Sequence, residues 1–415
     1  MTWTPRLIEP HEIDAVADLL AIAFGSGPKA PPDHRAQIVA MAELDRIFVV
    51  EDEGRFVGTA AALSVNVALP GGSVGMAGVT EVSVLPTHRR RGLLRTLIES
   101  VHDQAVERGE PLAGLTASEG GIYRRFGYGV AARLQSVRID AHRTSEVPPV
   151  EGTARDDGGG RRIRLVSEKE AATVLPAVWD RHWRRVPGEL DRTPGQWAVD
   201  ALDNEHARNG ASVRYIAVHD DEDGRPDGFV TYRIAQGWSD GGTNHELRVQ
   251  TLAAASDDVE AELVRFLFDV DLVGTITWYA PVDMPLRWRL ADPRAITVRA
   301  EADHLWLRPL DVAACLAARR YAADGELVLG VVDRRRDAGG AFRLEAGPDG
   351  ALCRPTDAAP DLTLDTAELG SLLAGGTTWR TLARAGRIAE HTPGAIDRAD
   401  ALFRAERAAY CGTDF

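Results

Sequence analysis

The 415-residue sequence predicts a mixed protein of the α+β or α/β class, divided into two to three domains. Two observations support this prediction. Apolar runs of strand length alternate with amphipathic segments of helix length, and a strand followed by a helix occurs in two successive parts of the chain. A polar, glycine-rich stretch at residues 151–160 separates those parts and is typical of a linker.

Local patterns define the elements of the first part. A helix is predicted at Glu12–Phe24, because its apolar residues recur every three or four positions. Two strands are predicted at residues 47–51 and 55–69, joined by a tight turn at residues 52–54. A third strand is predicted from the apolar run Val79–Leu85.

A cationic loop joins this third strand to an amphipathic helix. The loop contains Arg89, Arg90 and Arg91, and Gly92 opens the helix. The first N–H groups of a helix have no internal partner and lie at the positive end of its dipole, so an anion binds there. Glycine lets the backbone approach the anion and arginine adds charge-assisted hydrogen bonds, which suits a pyrophosphate. The patterns G-x-x-x-x-G-K-[S/T] and G-x-G-x-x-G are absent from this segment.

A second distinctive segment follows a short apolar strand at Leu112–Leu115. It reads Ser-Glu-Gly-Gly-Ile-Tyr-Arg-Arg-Phe-Gly-Tyr-Gly at residues 118–129. The Ser-Glu-Gly-Gly turn predicts the start of a short helix, with Ser118 as its cap.

Together, the two segments resemble the Eis (enhanced intracellular survival) family of actinobacterial acetyltransferases, within the GNAT superfamily. The acetyl-CoA pattern of the superfamily, R/Q-x-x-G-x-G/A, reads Arg-Arg-Arg-Gly-Leu-Leu at residues 89–94, with leucine at the final small position. The chain also ends in Thr413-Asp414-Phe415, similar to the acidic-Phe terminus of that family. The resemblance implies tandem GNAT folds, the N-terminal one active and the central one degenerate, followed by a sterol-carrier-protein-like domain.

We therefore predict an N-terminal acetyltransferase domain at residues 1–145, a central degenerate GNAT-like domain at 161–300 and a sterol-carrier-protein-like domain at 301–415. The central domain is expected to lack the cofactor, because residues 254–258 are acidic where a pyrophosphate would lie. A faint echo of residues 6–16 at 164–174 is consistent with a repeat. Further strands are predicted at residues 215–218, 228–234, 248–253, 326–333, 341–344 and 362–365. Further helices are predicted from residue 256 onward and at 311–318.

Acetyl-CoA is the donor that the resemblance implies, and no metal is expected. Backbone donors of a splayed strand at residues 82–84 can polarise the thioester oxygen. The expected contacts lie on that strand, the cationic loop, the helix start and the second segment: Val82, Ser83, Val84, Arg89, Arg90, Arg91, Gly92, Leu93, Leu94, Arg95, Ser118 and Glu119.

Two tyrosines compete for the role of general acid toward the CoA thiolate. A tyrosine, with an ordinary pKa of about 10, can protonate a thiolate whose conjugate pKa is near 8.5. The residues alone rank Tyr123 and Tyr128 equally, and the resemblance favours Tyr123. The resemblance also implies that the terminal carboxylate of Phe415 accepts the proton of the amine, a role that requires burial because an α-carboxyl has a pKa of about 3.5. His88 beside the loop is interpreted as a solvated residue rather than a base.

The predicted reaction is direct transfer of the acetyl group to an amine of a cationic acceptor. The resemblance implies an aminoglycoside, polyamine or lysine side chain as acceptor, and a homohexamer. Two positions depart from the family pattern and affect the choice of acceptor: Thr116, where histidine is frequent, and Glu81, where an apolar or aromatic residue is frequent. Glu81 and Asp414 are candidate acids on the acceptor side. The alternatives are a non-catalytic interaction protein built on decayed acetyltransferase domains and a lipid carrier.

Composition narrows the partners and the compartment. A formal net charge of -14 disfavours nucleic acid, and no apolar run approaches the roughly 18 residues of a membrane helix. The N-terminus lacks a secretory signal, and three cysteines without metal-like spacing are typical of a reducing cytoplasm. Because Cys315, Cys353 and Cys411 are far in sequence from the cationic loop, a covalent acetyl-cysteine is disfavoured.

Overall fold

A computed structural model of the chain describes residues 3–147, 162–205, 208–239, 242–336 and 338–415. The predicted linker at 151–160 lies outside the described residues. The chain forms two compact units. Unit 1 contains residues 1–132, 186–199 and 303–415, and unit 2 contains residues 133–185 and 200–302. Unit 1 therefore includes residues of all three predicted domains.

The described residues contain the following strands and helices. The strands are β1 (Arg6–Leu7), β2 (Ile47–Asp52), β3 (Arg55–Leu69), β4 (Gly72–Val84), β5 (Leu112–Thr116), β6 (Gly129–Val130), β7 (Arg133–Asp140), β8 (Ile163–Leu165), β9 (Tyr215–Asp220), β10 (Pro226–Ala235), β11 (Trp238–Ser239), β12 (Gly242–Thr243), β13 (His245–Ala254), β14 (Val273–Pro281), β15 (Ile296–Asp303), β16 (Leu305–Pro309), β17 (Gly325–Val332), β18 (Gly340–Gly347), β19 (Gly350–Pro355), β20 (Leu362–Asp365) and β21 (Ile388–Glu390). The helices are α1 (Ile13–Ala23), α2 (Pro32–Met41), α3 (Leu93–Glu107), α4 (Gly120–Tyr123), α5 (Glu168–Trp183), α6 (Pro194–Leu202), α7 (Asp257–Phe268), α8 (Leu286–Arg289), α9 (Val312–Ala317), α10 (Thr366–Leu373), α11 (Trp379–Arg384) and α12 (Ala395–Phe403).

Unit 1 contains a seven-stranded sheet in the order β1-β2-β3-β4-β5-β16-β6. The long strands β3 and β4 are antiparallel, whereas β4 and β5 are parallel. Neighbouring residues of β3 point to opposite faces, so Ala60 packs in the cluster that contains α3 and Ala61 in the cluster that contains α1. Both faces are therefore covered by helices, as parallel pairing at the centre of a sheet requires.

Unit 2 contains a sheet with the same plan, in the order β8-β9-β10-β13-β14-β7-β15. Its two central strands, β13 and β14, are again parallel. The sixth strand of each sheet comes from outside the main run of that sheet. The segment that follows the first sheet supplies β7 to the second, and the segment that follows the second sheet supplies β16 to the first.

The faint sequence repeat corresponds to a repeated ion pair at the edge of each sheet. Arg6 donates to Glu12 at 2.7 Å and lies 3.3 Å from the carboxylate of Glu51. In unit 2, Arg164 contacts Glu170 and lies 2.6 Å from Asp220. The predicted repeat is thus confirmed by equivalent side-chain contacts.

A β-bulge interrupts the fourth strand of both sheets. In the first sheet, Glu81 and Val82 of β4 lie opposite the single residue Ala60 of β3. In the second sheet, Gln250 of β13 is the extra residue. A bulge adds one residue, bends the strand and changes the direction of the side chains beside it.

The C-terminal residues add a five-stranded sheet in the order β19-β18-β17-β20-β21, which packs with α9, α10 and α12 on a shared apolar core. All four elements predicted for this region are present, with ends that differ by at most three residues. Among the described residues, no helix is long and apolar enough to cross a membrane.

Candidate active site

The site begins where β4 and β5 separate. Their parallel pairing runs from Met76 with Leu112 to Gly78 with Gly114 and ends there, although β4 continues to Val84 and β5 to Thr116. The next residues of β4 therefore lack a strand neighbour on the β5 side. Backbone groups that a sheet would otherwise pair are available to a ligand in this opening.

The cationic loop lies at the far end of β4, at the N-terminus of the 15-residue helix α3. Gly92 is the N-cap with φ 91°, and Arg90 also has positive φ, at 62°. Trp3 Nε1 donates to the carbonyl of Arg91 at 3.0 Å and holds the loop in place. Among the described residues no side chain caps α3, and its first turn has no acidic residue, so free N–H groups and exposed arginines lie together at the positive end of the helix dipole.

The corresponding junction in unit 2 has the opposite chemistry. Helix α7 follows β13, and the Ser256 side chain accepts a hydrogen bond from Val259 N at 3.2 Å. Its first turn contains Asp257, Asp258 and Glu260. One backbone donor is thus already satisfied and the carboxylates repel an anion, in agreement with the predicted loss of the cofactor loop.

The two candidate tyrosines differ in their surroundings. Tyr128 is fully buried, and its hydroxyl lies 2.7 Å from Nε2 of His102. Tyr123 is 9% exposed, and its hydroxyl forms no hydrogen bond within the described part of the chain. Burial and the charge of Glu119 raise the pKa of Tyr123, which keeps its proton available. Burial raises the pKa of Tyr128 as well, so the two tyrosines differ in exposure and in hydrogen bonding, and the choice of Tyr123 as proton donor stays a prediction.

The C-terminal residue lies at the point where β4 and β5 separate. A Cβ added to Gly78 would lie 3.1 Å from Cδ2 of Phe415 and 3.3 Å from Cγ2 of Val65. The Phe415 ring therefore occupies the space that a side chain at position 78 would take. Because Gly78 is the last residue of β4 paired with β5, the tail ends beside the opening.

A buried carboxyl group holds the tail in this position. Glu189 is 1% exposed and accepts hydrogen bonds from Gly412 N at 2.8 Å and from Leu190 N at 3.0 Å. Burial raises the pKa of Glu189. Thr413 is also buried, so the tail is packed up to two residues before its end rather than frayed.

Glu81 lies in the β4 bulge, three residues beyond Gly78. Its φ is 53°, which is rare for a residue other than glycine, asparagine or aspartate and is found mainly where surrounding structure enforces it. Its half-buried carboxylate has no hydrogen bond or ion pair among the described residues. Burial raises the pKa of Glu81 to about 7. A carboxylate with this pKa exchanges protons readily at neutral pH.

Two local predictions were wrong. Ser118 does not cap the short helix α4, because the residue before its first turn is Glu119, and no side chain makes a cap hydrogen bond there. His88 is not simply solvated, since Nε2 lies 3.0 Å from Asp52 Oδ2 and Nδ1 lies 2.8 Å from Thr87 Oγ1. These two contacts tie His88 to Asp52 and to the neighbouring Thr87.

Sequence reasoning missed Gly78 and Glu189. Gly78 lies within an apolar strand, and Glu189 is a single acidic residue in a loop more than 200 residues before the tail it binds. No local pattern marks either position, because both roles depend on a contact with the chain terminus.

A sheet whose parallel central strands separate beside an uncapped, arginine-flanked helix defines the class of GNAT acetyltransferases. Family comparisons agree: a profile described as an acetyltransferase (GNAT) domain matches residues 4–131, a second with the same description matches 188–308, and a sterol carrier protein domain matches 312–412.

Similar proteins narrow the class to one family. The N-acetyltransferase Eis of Mycobacterium bovis is 34% identical, with 97% of this chain and 98% of that protein covered. A protein described as an uncharacterized N-acetyltransferase from Streptomyces avermitilis is 37% identical over 87% of this chain and 86% of its own length. The crystal structure of Eis1 from Mycobacterium abscessus superimposes with a TM-score of 0.84 at 33% identity, covering all of both chains.

The chain belongs to the Eis family of N-acetyltransferases. It is an acetyl-transfer enzyme with tandem GNAT domains and a C-terminal sterol carrier domain, and its fold implies acetyl-CoA as donor and an amine as acceptor.

Proposed function

We propose that the chain acetylates a cationic amine by direct attack on acetyl-CoA, with Tyr123 as proton donor and the C-terminal carboxylate of Phe415 as proton acceptor. The observation that carries the proposal is the position of the Phe415 ring against Gly78, where β4 and β5 separate. This contact supports a terminal carboxylate near the opening, because the ring and the carboxylate belong to the same residue, whereas the last residues of most chains are poorly ordered.

The atoms balance in a single sequence of steps. The amine nitrogen forms a bond to the thioester carbonyl carbon, and its proton passes to the Phe415 carboxylate. The carbon–sulfur bond then breaks, and the CoA thiolate takes the proton of the Tyr123 hydroxyl. Backbone N–H groups of β4 beyond the last pair with β5 polarise the thioester oxygen, and Val82, Ser83 and Val84 are the proposed donors.

The donor would lie along β4 with its pyrophosphate at the start of α3. Arg89, Arg90, Arg91 and Arg95 are exposed there, and Gly92 presents its backbone in a left-handed conformation. Together with Leu93, Leu94, Ser118 and Glu119, they are the proposed contacts of the donor.

The environments of the cysteines support direct attack. Cys315, Cys353 and Cys411 are all buried, and burial raises the pKa of each thiol. For Cys411 the charge of Glu189 adds to this effect. An acetyl-cysteine intermediate requires a thiolate, which a lowered pKa favours, so these cysteines have the wrong environment for a nucleophile.

A cationic acceptor is supported by the carboxylates beside the opening. Glu81 has no positively charged partner in the described part of the chain, and the side chain of Asp414 is 88% exposed. Both can attract an ammonium group. Polyamines, aminoglycosides and lysine peptides are therefore the acceptor panel to assay.

The decisive experiment shifts the terminal carboxylate without disturbing the core. Deletion of Phe415 moves it by one residue, about 3.5 Å, which is enough to break a proton transfer that needs atoms within roughly 3 Å. We expect kcat to fall by at least about tenfold while the KM for acetyl-CoA stays within about twofold. Unchanged kcat after the deletion would exclude the tail as base.

Two glycines of β4 provide a matched pair of variants for the same question. Gly78→Ala should displace the Phe415 ring and lower kcat, whereas Gly75→Ala meets no atom within 4 Å and should leave kcat unchanged. Equal effects of the two substitutions would show that strand flexibility, and not the tail, limits turnover. A thermal melt of both variants verifies that the fold is retained.

A further inference from the structure

A cavity of about 690 Å³ in unit 1 is not explained by acetyl transfer. Its wall is formed by the turn after α4, the loop after β17, the start of α10 and the turn before β21. None of the proposed donor contacts lines it. The wall carries five arginines: Arg124, Arg125, Arg334, Arg335 and Arg387.

The carboxylates of this cavity are already paired. Glu368 contacts Arg124, and Asp365 lies 3.1 Å from Arg334. Asp333 lies 2.8 Å from Arg308, a buried arginine beneath the wall. Among the described residues of the wall, with Arg308 included, six arginines accompany three carboxylates. Since the whole chain has a net charge of -14, this local excess of positive charge is not a result of a basic composition.

Arg125, Arg335 and Arg387 make no ion pair with a carboxylate among the described residues. The first two are nevertheless held in place. Nε of Arg125 donates to the carbonyl of Ile122 at 3.0 Å, and Nε of Arg335 donates to the carbonyl of Arg125 at 3.0 Å. Both guanidinium groups lie 5.7 Å from the centre of the Phe126 ring.

This arrangement leaves the terminal amino groups of two fixed guanidiniums without a hydrogen bond in the described structure. Like charges placed together in a concave surface repel one another, and a bound anion removes that repulsion. Planar guanidiniums match the oxygens of phosphate in pairs, and their fixed position lowers the entropy lost on binding.

We propose that this cavity binds a phosphate group, supplied either by a soluble phosphorylated compound or by the headgroup of an acidic lipid. The site is separate from the donor loop and does not depend on the proposed acetylation mechanism.

The test uses the full chain with CoA at saturating concentration, so that the donor loop is filled. Inorganic pyrophosphate is titrated by calorimetry into the wild type and into Arg335→Gln/Arg387→Gln. The control Arg343→Gln/Arg354→Gln removes the same charge from β18 and β19, where each arginine pairs with a glutamate. We expect the first variant to bind pyrophosphate at least tenfold more weakly and the control to bind within twofold of wild type.

A parallel experiment identifies the source of the phosphate. Cosedimentation compares phosphatidylglycerol vesicles with phosphatidylcholine vesicles for the same three proteins. Selective loss of phosphatidylglycerol binding in Arg335→Gln/Arg387→Gln would support a lipid headgroup, and loss of pyrophosphate binding alone would support a soluble compound. If neither probe distinguishes this variant from the control, or if CoA abolishes pyrophosphate binding to the wild type, the proposal is overturned.

Discussion

The two acetyltransferase sheets share a strand order, a parallel central pair, a bulge in the fourth strand and an edge ion pair, yet differ at one junction. In unit 1 the helix after the fourth strand begins at Gly92 with no side-chain cap. In unit 2 it begins at Ser256, which is a cap, and continues with two aspartates. The difference shows that the same sheet plan persists without the arginine loop, and we expect donor binding to depend on the few residues at this helix terminus.

The largest expected effect concerns Tyr123, the proposed proton donor. Unit 1 has this tyrosine seven residues after the end of β5, whereas the segment at the same distance after β14 in unit 2 has no tyrosine. Tyr123→Phe should lower kcat by about 100-fold or more, with little change in acetyl-CoA affinity, since proton donation acts only in the transition state. Tyr128→Phe is the matched control. It removes the hydroxyl bonded to His102, so it should lower Tm and leave kcat within a few fold. The reverse pattern would transfer the acid role to Tyr128.

The next effect tests the junctions themselves. Arg90→Ser/Arg91→Ser should weaken acetyl-CoA binding by at least about tenfold, because charge-assisted bonds to the pyrophosphate are lost. Asp257→Asn/Asp258→Asn in unit 2 should leave the affinity unchanged. Calorimetry on the wild type should find one site per chain, and a second site of similar affinity would contradict the contrast between the two units.

The smallest effect concerns the two bulges, where β4 has Glu81 and β13 has Gln250. If the Glu81 carboxylate attracts the acceptor or relays its proton, kcat/KM should rise as pH increases through about 7, the raised pKa of this group. Glu81→Gln gives unit 1 the residue type of unit 2 and should flatten that rise, with a loss of about threefold at pH 8. A pH profile identical to that of the wild type would leave the tail as the sole base.

The same substitution has a stability readout of known sign. The pKa of Glu81 is raised in the folded state. The contribution of this group to the free energy of unfolding is therefore fully present below the ordinary carboxyl pKa and is lost as pH rises through about 7. The free energy of unfolding of the wild type should therefore fall relative to Glu81→Gln between pH 5 and pH 8. Denaturant titrations at the two pH values measure the difference.

Periodic segments were predictable from sequence, whereas pairings between distant segments were not. The helix predicted at Glu12–Phe24 and the strands at 47–51 and 55–69 are confirmed within one residue at each end, because each has a clear apolar period and a turn or cap. The third strand is much longer than predicted and starts at Gly72. Its first half contains three glycines, at positions 72, 75 and 78, which give a weak strand signal.

The site was predictable where its chemistry is local. The arginine loop and Gly92 lie at a helix N-terminus as predicted, because the motif itself specifies the strand, turn and helix. The position of the C-terminal tail was not predictable from the residues. It depends on two contacts between distant parts of the chain, Phe415 with Gly78 and Gly412 with Glu189. The roles of the predicted catalytic and donor-binding residues stay predictions until the variants above are measured.

The positions of β7 and β16 in the chain determine the order in which the two sheets can be completed during translation. The first sheet lacks β16 until the ribosome has added residues 305–309, after nearly three quarters of the chain. A nascent chain that stops at residue 145 has no β16 to pair with β5, so one edge of β5 is unpaired. Strand β7, in contrast, is synthesised before all other strands of the second sheet. All seven strands of the second sheet lie between residues 133 and 303, so that sheet can be completed before β16 is synthesised, whereas the first sheet cannot.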